Sequence, residues 1–181
     1  MIQPNPQPHL PDGVRALLSN SRISLSIGLL TAPDCPLIAI NEPFTTMTGY
    51  SAQDVLGKNC RFLQPAGGAG PVRNRMRDFV DDDAKRQAKF IVPNARRNGE
   101  PFLNLVYMSK LTRDGRPELI LGSQFDISRY KPDALEIYEQ ALREDIRQLR
   151  FEARESGMVL LGTYDQLASS HSMIAQLRLD E

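Results

Sequence analysis

The sequence predicts an α+β fold: a five-stranded antiparallel sheet with helices on one face, a short helix before it and an amphipathic helical extension after it. Three observations carry this reading. Two short strand-like segments open the body of the chain and three longer ones close it, with a helical middle between. The last three strands are joined by "NGE" and "RDGR", turn sequences suited to antiparallel hairpins. Beyond Asp126 the apolar residues stop alternating and recur at three- and four-residue steps.

The elements follow in order. Residues 1–11 are polar and proline-rich, an arm, and "PDGVRALLSNS" predicts a short helix with Val14, Leu17 and Leu18 on one face. The segments "SLSIGLL" and "PLIAI" read as strands around a Pro-Asp turn. In "NEPFTTMTGY", Asn41 is placed to cap a helix with Pro43 just inside it, and Ser51 precedes Asp54 at capping-box spacing. "PAGGAG" is a loop, and Pro71 opens the helix of "PVRNRMRDFVDDD". The late strands are "AKFIVPNARR", "PFLNLVYMSKL" and "PELILGSQFDI"; Pro93 in the first of them calls for a bulge or an edge position. Pro132 then starts a helix with Leu135, Tyr138, Leu142, Ile146, Leu149 and Ala153 along one stripe, and Gly157 ends it. A further segment places Leu160, Tyr164, Leu167, Ile174 and Leu177 in similar rhythm. The boundaries are 1–22 for the arm and first helix, 23–130 for the sheet domain and 131–181 for the extension.

The charges balance, 22 Lys and Arg against 22 Asp and Glu, so the net field points to neither nucleic acid nor a membrane surface. The start lacks the pattern of a secretory signal and no apolar run reaches spanning length, so a cytoplasmic location is expected. In such a reducing compartment Cys35 and Cys60 are expected as free thiols. His9 and His171 have no ligand spacing to either cysteine, and no metal is expected.

The late strands also carry carboxamides where apolar residues should stand. Side chains alternate between sheet faces, so Phe90, Val92 and Asn94 share a face, as do Phe102, Asn104, Val106 and Met108, and Ile120, Gly122 and Gln124. A buried carboxamide without a partner costs about 1–3 kcal/mol, so all three amides need partners. They could bond to backbone or to one another. A planar heterocycle with donors and acceptors along one edge, such as the isoalloxazine of a flavin, would also satisfy them, and Gly122 would leave room for a flat ring.

These strands meet a further motif, "GKNCRFLQ" at 57–64, which puts a thiol in what should be the first turns of a helix. Together with "MTGY" upstream and "NARRNGEPFLN" and "GSQFDIS" downstream, it closely resembles the light-oxygen-voltage (LOV) blue-light photosensors of the PAS superfamily. The likeness runs in order from about Ile27 to Ser128. It implies that 23–130 is a flavin-binding domain that holds FMN non-covalently and joins Cys60 reversibly to flavin carbon C4a under blue light. Among the residues matching the family's cofactor contacts are Asn59, Arg61, Gln64, Arg77, Asn94, Asn104 and Gln124. Arg61 and Arg77 would take the phosphate, with Arg73 and Arg75 as alternatives on the same helix, and Gln64 the ribityl chain. Asn94 and Asn104 would bond the pyrimidine edge. Gln124 would sit near O4 and N5 and reorient when N5 gains a proton. The sequence departs from the family after Gln64, where "PAGGAGP" offers no side-chain hydroxyl or carboxylate, so riboflavin or FAD is less firmly excluded.

About fifty residues follow the sensor, without an effector motif, so the reading is a short LOV protein and not an enzyme. Its two amphipathic segments carry more apolar surface than one small domain can cover, which points to a light-sensitive homodimer and an unnamed downstream partner. The alternatives are a light-regulated DNA-binding regulator, disfavoured by the acidic residues of the extension, and a sensor partner for a separate histidine kinase; a histidine-kinase remnant using His171 is disfavoured because that residue lacks the usual Glu-Arg and Pro neighbours. A flavoenzyme would need acid or base groups beside the ring, and the sequence offers only the thiol.

Overall fold

The computed structural model describes residues 9–128 and 131–161. Helix α1 (Asp12–Asn20) precedes strands β1 (Ser24–Leu29) and β2 (Leu37–Ile40). Helices α2 (Glu42–Thr48) and α3 (Ala52–Val55), a 3-10 turn at Cys60–Leu63 and α4 (Val72–Asp81) form the middle. Strands β3 (Gln87–Ala95), β4 (Pro101–Arg113) and β5 (Arg116–Asp126) lead to α5 (Pro132–Glu155) and a last strand, β6 (Met158–Leu161).

The strands pair antiparallel in the order β2-β1-β5-β4-β3, with β6 also on β4. The β4–β5 turn is made by Asp114 and Gly115, both at positive φ (50° and 76°), which gives a two-residue hairpin the twist of its strands. Pro93 needs no bulge. It pairs with Leu103 in unbroken register on the edge strand β3, where a missing N–H costs the ladder least.

The caps form as expected. The Asn41 side chain accepts from Phe44 N–H, and Ser51 and Asp54 make a reciprocal capping box. Asn41 also accepts from Leu25 N–H and donates to the Ile23 carbonyl, tying the start of α2 to β1.

Two layers cover the sheet. The middle helices lie over the face that carries the carboxamides, and α1 with α5 covers the other. On that second face Leu135, Tyr138, Leu142, Ile146, Leu149 and Ala153 are buried in one cluster with Leu25, Ile27, Leu105, Tyr107, Leu119 and Leu121 of the strands and Val14 and Leu17 of α1. The stripe of α5 is therefore spent within the chain and not left bare for a second copy. Each such leucine contributes on the order of 1.5–3 kcal/mol by leaving water.

The helical rhythm expected from Leu160 is corrected. Residues 158–161 extend along β4 opposite Arg113–Lys110, with Met158 and Leu160 buried and Val159 between them exposed, the period of a strand. Four apolar residues after a helix-ending glycine are too few to distinguish the two periods, and the free edge of β4 beyond the start of β3 decides the outcome. Tyr164, Leu167, His171, Ile174 and Leu177 lie outside the described residues, as does most of the N-terminal arm. No helix among the described residues is long and apolar enough to cross a membrane.

Candidate functional site

Between the carboxamide face and the middle helices lies a cavity of about 450 Å³. Asn94 on β3, Asn104 on β4 and Gln124 on β5 line its sheet side, with Val92, Val106, Met108 and Ile120 as apolar wall. Asn59, Cys60, Arg61 and Gln64 line it from the segment around the 3-10 turn, and Arg73 and Arg77 from α4. Every residue matched to a cofactor contact thus borders one space, and of the two alternative arginines Arg73 does and Arg75 does not. Arg73 and Arg77 are one turn apart and share a side of α4, where Met76 also faces the cavity, while the spacing of Arg75 directs it elsewhere.

The thiol segment differs from expectation in one respect: Cys60 opens a single 3-10 turn, not an α-helix. Asn59 caps that turn by accepting from Arg61 N–H (3.0 Å), and its amide donates to the Asp34 carbonyl (2.6 Å). The cap thereby pins the β1–β2 loop to the thiol's turn. The same loop supplies Asp34, whose carboxylate pairs with the Arg61 guanidinium, and that contact holds the Asp34 carboxyl below the usual carboxylate range.

Cys60 is half-buried at the cavity wall, and desolvation pushes its thiol up to about 12, with Cys35 adding to the shift. Cys35 is pushed up to about 11, again first by burial and then by Asp34. Both sulfurs are free and protonated at neutral pH.

The carboxamides answer most of their own needs. Asn104 Nδ2 donates to Asn94 Oδ1 (2.9 Å), and Asn94 Nδ2 donates to the Pro93 carbonyl (2.9 Å). Gln124 is held by two serines of β1, accepting at Oε1 from Ser24 Oγ (2.9 Å) and donating from Nε2 to Ser26 Oγ (2.9 Å). One acceptor is left over: Asn104 Oδ1 is buried and has no partner. An unpaired buried carbonyl costs about 1–3 kcal/mol, so this atom calls for a donor from something in the cavity. The N–H on the pyrimidine edge of an isoalloxazine is such a donor, and the residues present fit a flavin.

Sequence reasoning missed Ser26, Gly28, Asp34 and Cys35, which also line the cavity. Gly28 is required by close approach: a Cβ there would stand 2.8 Å from Ile120 Cγ2 and 3.0 Å from Cys35 Sγ. Period two from Ser24 would have placed Ser26 and Gly28 on one face, but β1 is buried on both sides, so its pattern does not say which face meets the cavity.

Comparison with known proteins fits this geometry. The PAS domain family model matches residues 25–129. The chain belongs to the PAS domain family. Within it, it is a LOV domain: the crystal structure of the Rhodobacter sphaeroides LOV protein superposes with a TM-score of 0.77 at 27% identity, covering 93% of this chain and 96% of that one. A variant of that LOV protein is 30% identical, with a TM-score of 0.75 and the same coverage. Phototropin-2 of Oryza sativa subsp. japonica is 35% identical over 125 residues, 68% of this chain and 14% of the relative. The blue-light-activated histidine kinase 1 of Erythrobacter litoralis is 33% identical over 109 residues, 60% of this chain and 30% of the relative. This LOV chain therefore spans less than a third of those two curated relatives. The match places it in the LOV blue-light photoreceptor family.

Proposed function

We propose that this LOV domain binds FMN non-covalently and reports blue light through a reversible bond between Cys60 and the flavin. The observation that carries the proposal is a cavity that brings a protonated thiol, a buried amide oxygen in need of a donor and a group of guanidinium ions to one space. The bound flavin supplies light absorption and, once excited, an electrophilic C4a next to a basic N5.

Cys60 would hold a protonated thiol beside the ring, and so would offer both the sulfur for C4a and the proton for N5 that a thioether there requires. Its high thiol pKa is no handicap, because light supplies the driving energy. Asn94 and Asn104 orient the pyrimidine edge, with Asn104 Oδ1 accepting from its N–H. Arg61, Arg73 and Arg77 offer planar donor sets to a phosphate, the recognition a guanidinium does best. They favour FMN over riboflavin, which has no phosphate.

Gln124 is placed to pass the event on. Its amide would reverse if a flavin N5 beside it changed from acceptor to donor, and its neighbours in β5 face the other layer. Ser123 Oγ and the Tyr138 hydroxyl of α5 are 2.8 Å apart, and the Phe125 ring stacks on that of Tyr138 at 4.6 Å. A shift at residue 124 therefore bears on α5. The outward side of α5 carries exposed Ile137 and Phe151, about four turns apart and so on one line. We take this line as the light-sensitive contact with a second copy.

Absorbance tests the proposal. The purified chain should be yellow, bleach under blue light and recover in darkness, and Cys60→Ala should keep the colour and lose the bleaching. A colourless chain after reconstitution with FMN, or unchanged bleaching in Cys60→Ala, would overturn it. Scattering mass in dark and light tests the dimer, and one unchanging monomer would remove that part alone.

A further inference from the structure

Gln124 is held at each end of its carboxamide by a hydroxyl, a group that can both donate and accept. Its carboxamide lies along β1 between Ser24 and Ser26, and all three residues are buried. Being two apart in a strand, the serines share a face, and the register sets Ser24 opposite Gln124 and Ser26 opposite Gly122. Gly122 makes the second contact possible. A Cβ at that position would stand 2.8 Å from Ser26 Oγ and 3.1 Å from Gln124 Nε2.

A hydroxyl donates and accepts, and it changes role by turning about its own C–O bond. When the carboxamide exchanges Oε1 and Nε2, Ser24 can accept where it now donates and Ser26 can donate where it now accepts. We infer that Ser24 and Ser26 are positioning residues that give Gln124 two orientations with the same number of hydrogen bonds, so that light selects between them without orphaning a buried group. The inference rests on the photochemical reading above and adds to it which residues set the balance between dark and bleached states.

The two serines weigh on that balance with opposite signs. Without the Ser26 hydroxyl, the orientation described here leaves an amide N–H without its acceptor, whereas the reversed one leaves a carbonyl that a donor at N5 already serves. The orphaned N–H costs more, so reversal is favoured. Without the Ser24 hydroxyl, the reversed orientation is the one that orphans an N–H, and the present orientation is favoured.

Dark recovery after a blue-light pulse should therefore slow in Ser26→Ala and quicken in Ser24→Ala, each by roughly three- to tenfold. Ser26→Thr and Ser24→Thr, which keep a hydroxyl, should return towards the wild-type rate. Light-minus-dark infrared spectra of protein carrying ¹³C-labelled glutamine side chains give a signature that general loosening would not: the amide carbonyl band should shift in wild type and shift less in each alanine variant. Recovery rates that move in the same direction, or both stay within about twofold of wild type, would overturn the inference while leaving the photoreceptor reading intact, provided wild type bleaches. A wild type that does not bleach would overturn both.

Discussion

The two faces of the sheet are built from the same strands and made for opposite ends. On β5, Leu119, Leu121 and Ser123 face α1 and α5, while Ile120, Gly122 and Gln124 face the cavity. The first face is closed by the chain itself, with leucines of helix and strand at or near zero exposure. The second keeps about 450 Å³ open, a glycine where a side chain would fit the pattern, and one carbonyl without a donor. A face that is complete holds the fold together; a face with a cavity and an unpaired buried acceptor has the shape and polarity to take a ligand.

The sharpest break of that contrast is a truncation on the complete side. Leu142 is fully buried in the α5 layer, and Leu142→Ala should cost about 2–5 kcal/mol, read from the urea midpoint. The flavin spectrum of the protein still folded should not change. A shifted spectrum in that folded fraction would mean that the faces are not separable.

The matching change on the incomplete side should behave in the opposite way. Asn104→Ala removes the carbonyl that lacks a donor, together with a donor to Asn94, so the stability of flavin-free protein should move by no more than about 1 kcal/mol. Flavin affinity, from fluorescence titration, should fall by roughly ten- to a hundredfold, as the loss of one to two good hydrogen bonds to the ring demands. Unchanged affinity would show that the cavity's need for a donor is met by something else.

Much of this contrast was legible in the sequence. Alternation placed Asn94, Asn104 and Gln124 on inner faces, and turn chemistry at Asp114-Gly115 and Gly99 fixed which strands are neighbours. The stripe of α5 was legible too, but not its destination, because periodicity says that a face must be covered and not by what. β1 hid its half of the site because both of its faces are buried, so Ser26 and Gly28 look like any core residues. The choice among Arg73, Arg75 and Arg77 waited on the orientation of α4, which the burial of Val72 and Phe79 sets.

Between the two faces runs the contact of Tyr138 with β5. Tyr138→Phe keeps the stacking on Phe125 and leaves the fully buried Ser123 hydroxyl without its partner, a loss of about 1 kcal/mol in urea unfolding. It should also shrink the light-induced change in amide hydrogen exchange along α5. If that change stays at full size, the signal leaves the sheet by another contact.

The smallest effect sharpens the comparison at the edge of the complete face, where that face is not wholly apolar. The Lys89 side chain, 3% exposed, reaches under α5 to Glu139, with Nζ 3.9 Å from the carboxylate. Burial pushes the Lys89 ammonium down to about 8; Glu139 opposes the shift and Arg143 adds to it. Below that value the lysine is charged in folded and unfolded chains alike, and the folded state carries the full cost of burying it. Between about 8 and the ordinary 10.5 the folded chain has released a proton that the unfolded chain still holds, so this group makes stability rise with pH across that window. Cys35 and Cys60 act in the other direction: their thiols ionise in the unfolded chain near 9.0 but only near 11 and 12 when folded, so they lower stability as pH climbs past 9.0. The lysine is therefore isolated by difference. Urea midpoints of wild type and Lys89→Met should converge or cross as pH rises from neutral towards 9.0, with wild type gaining on the variant. Parallel pH profiles would mean that Lys89 stays charged beneath α5 throughout, held by Glu139 more strongly than its burial implies.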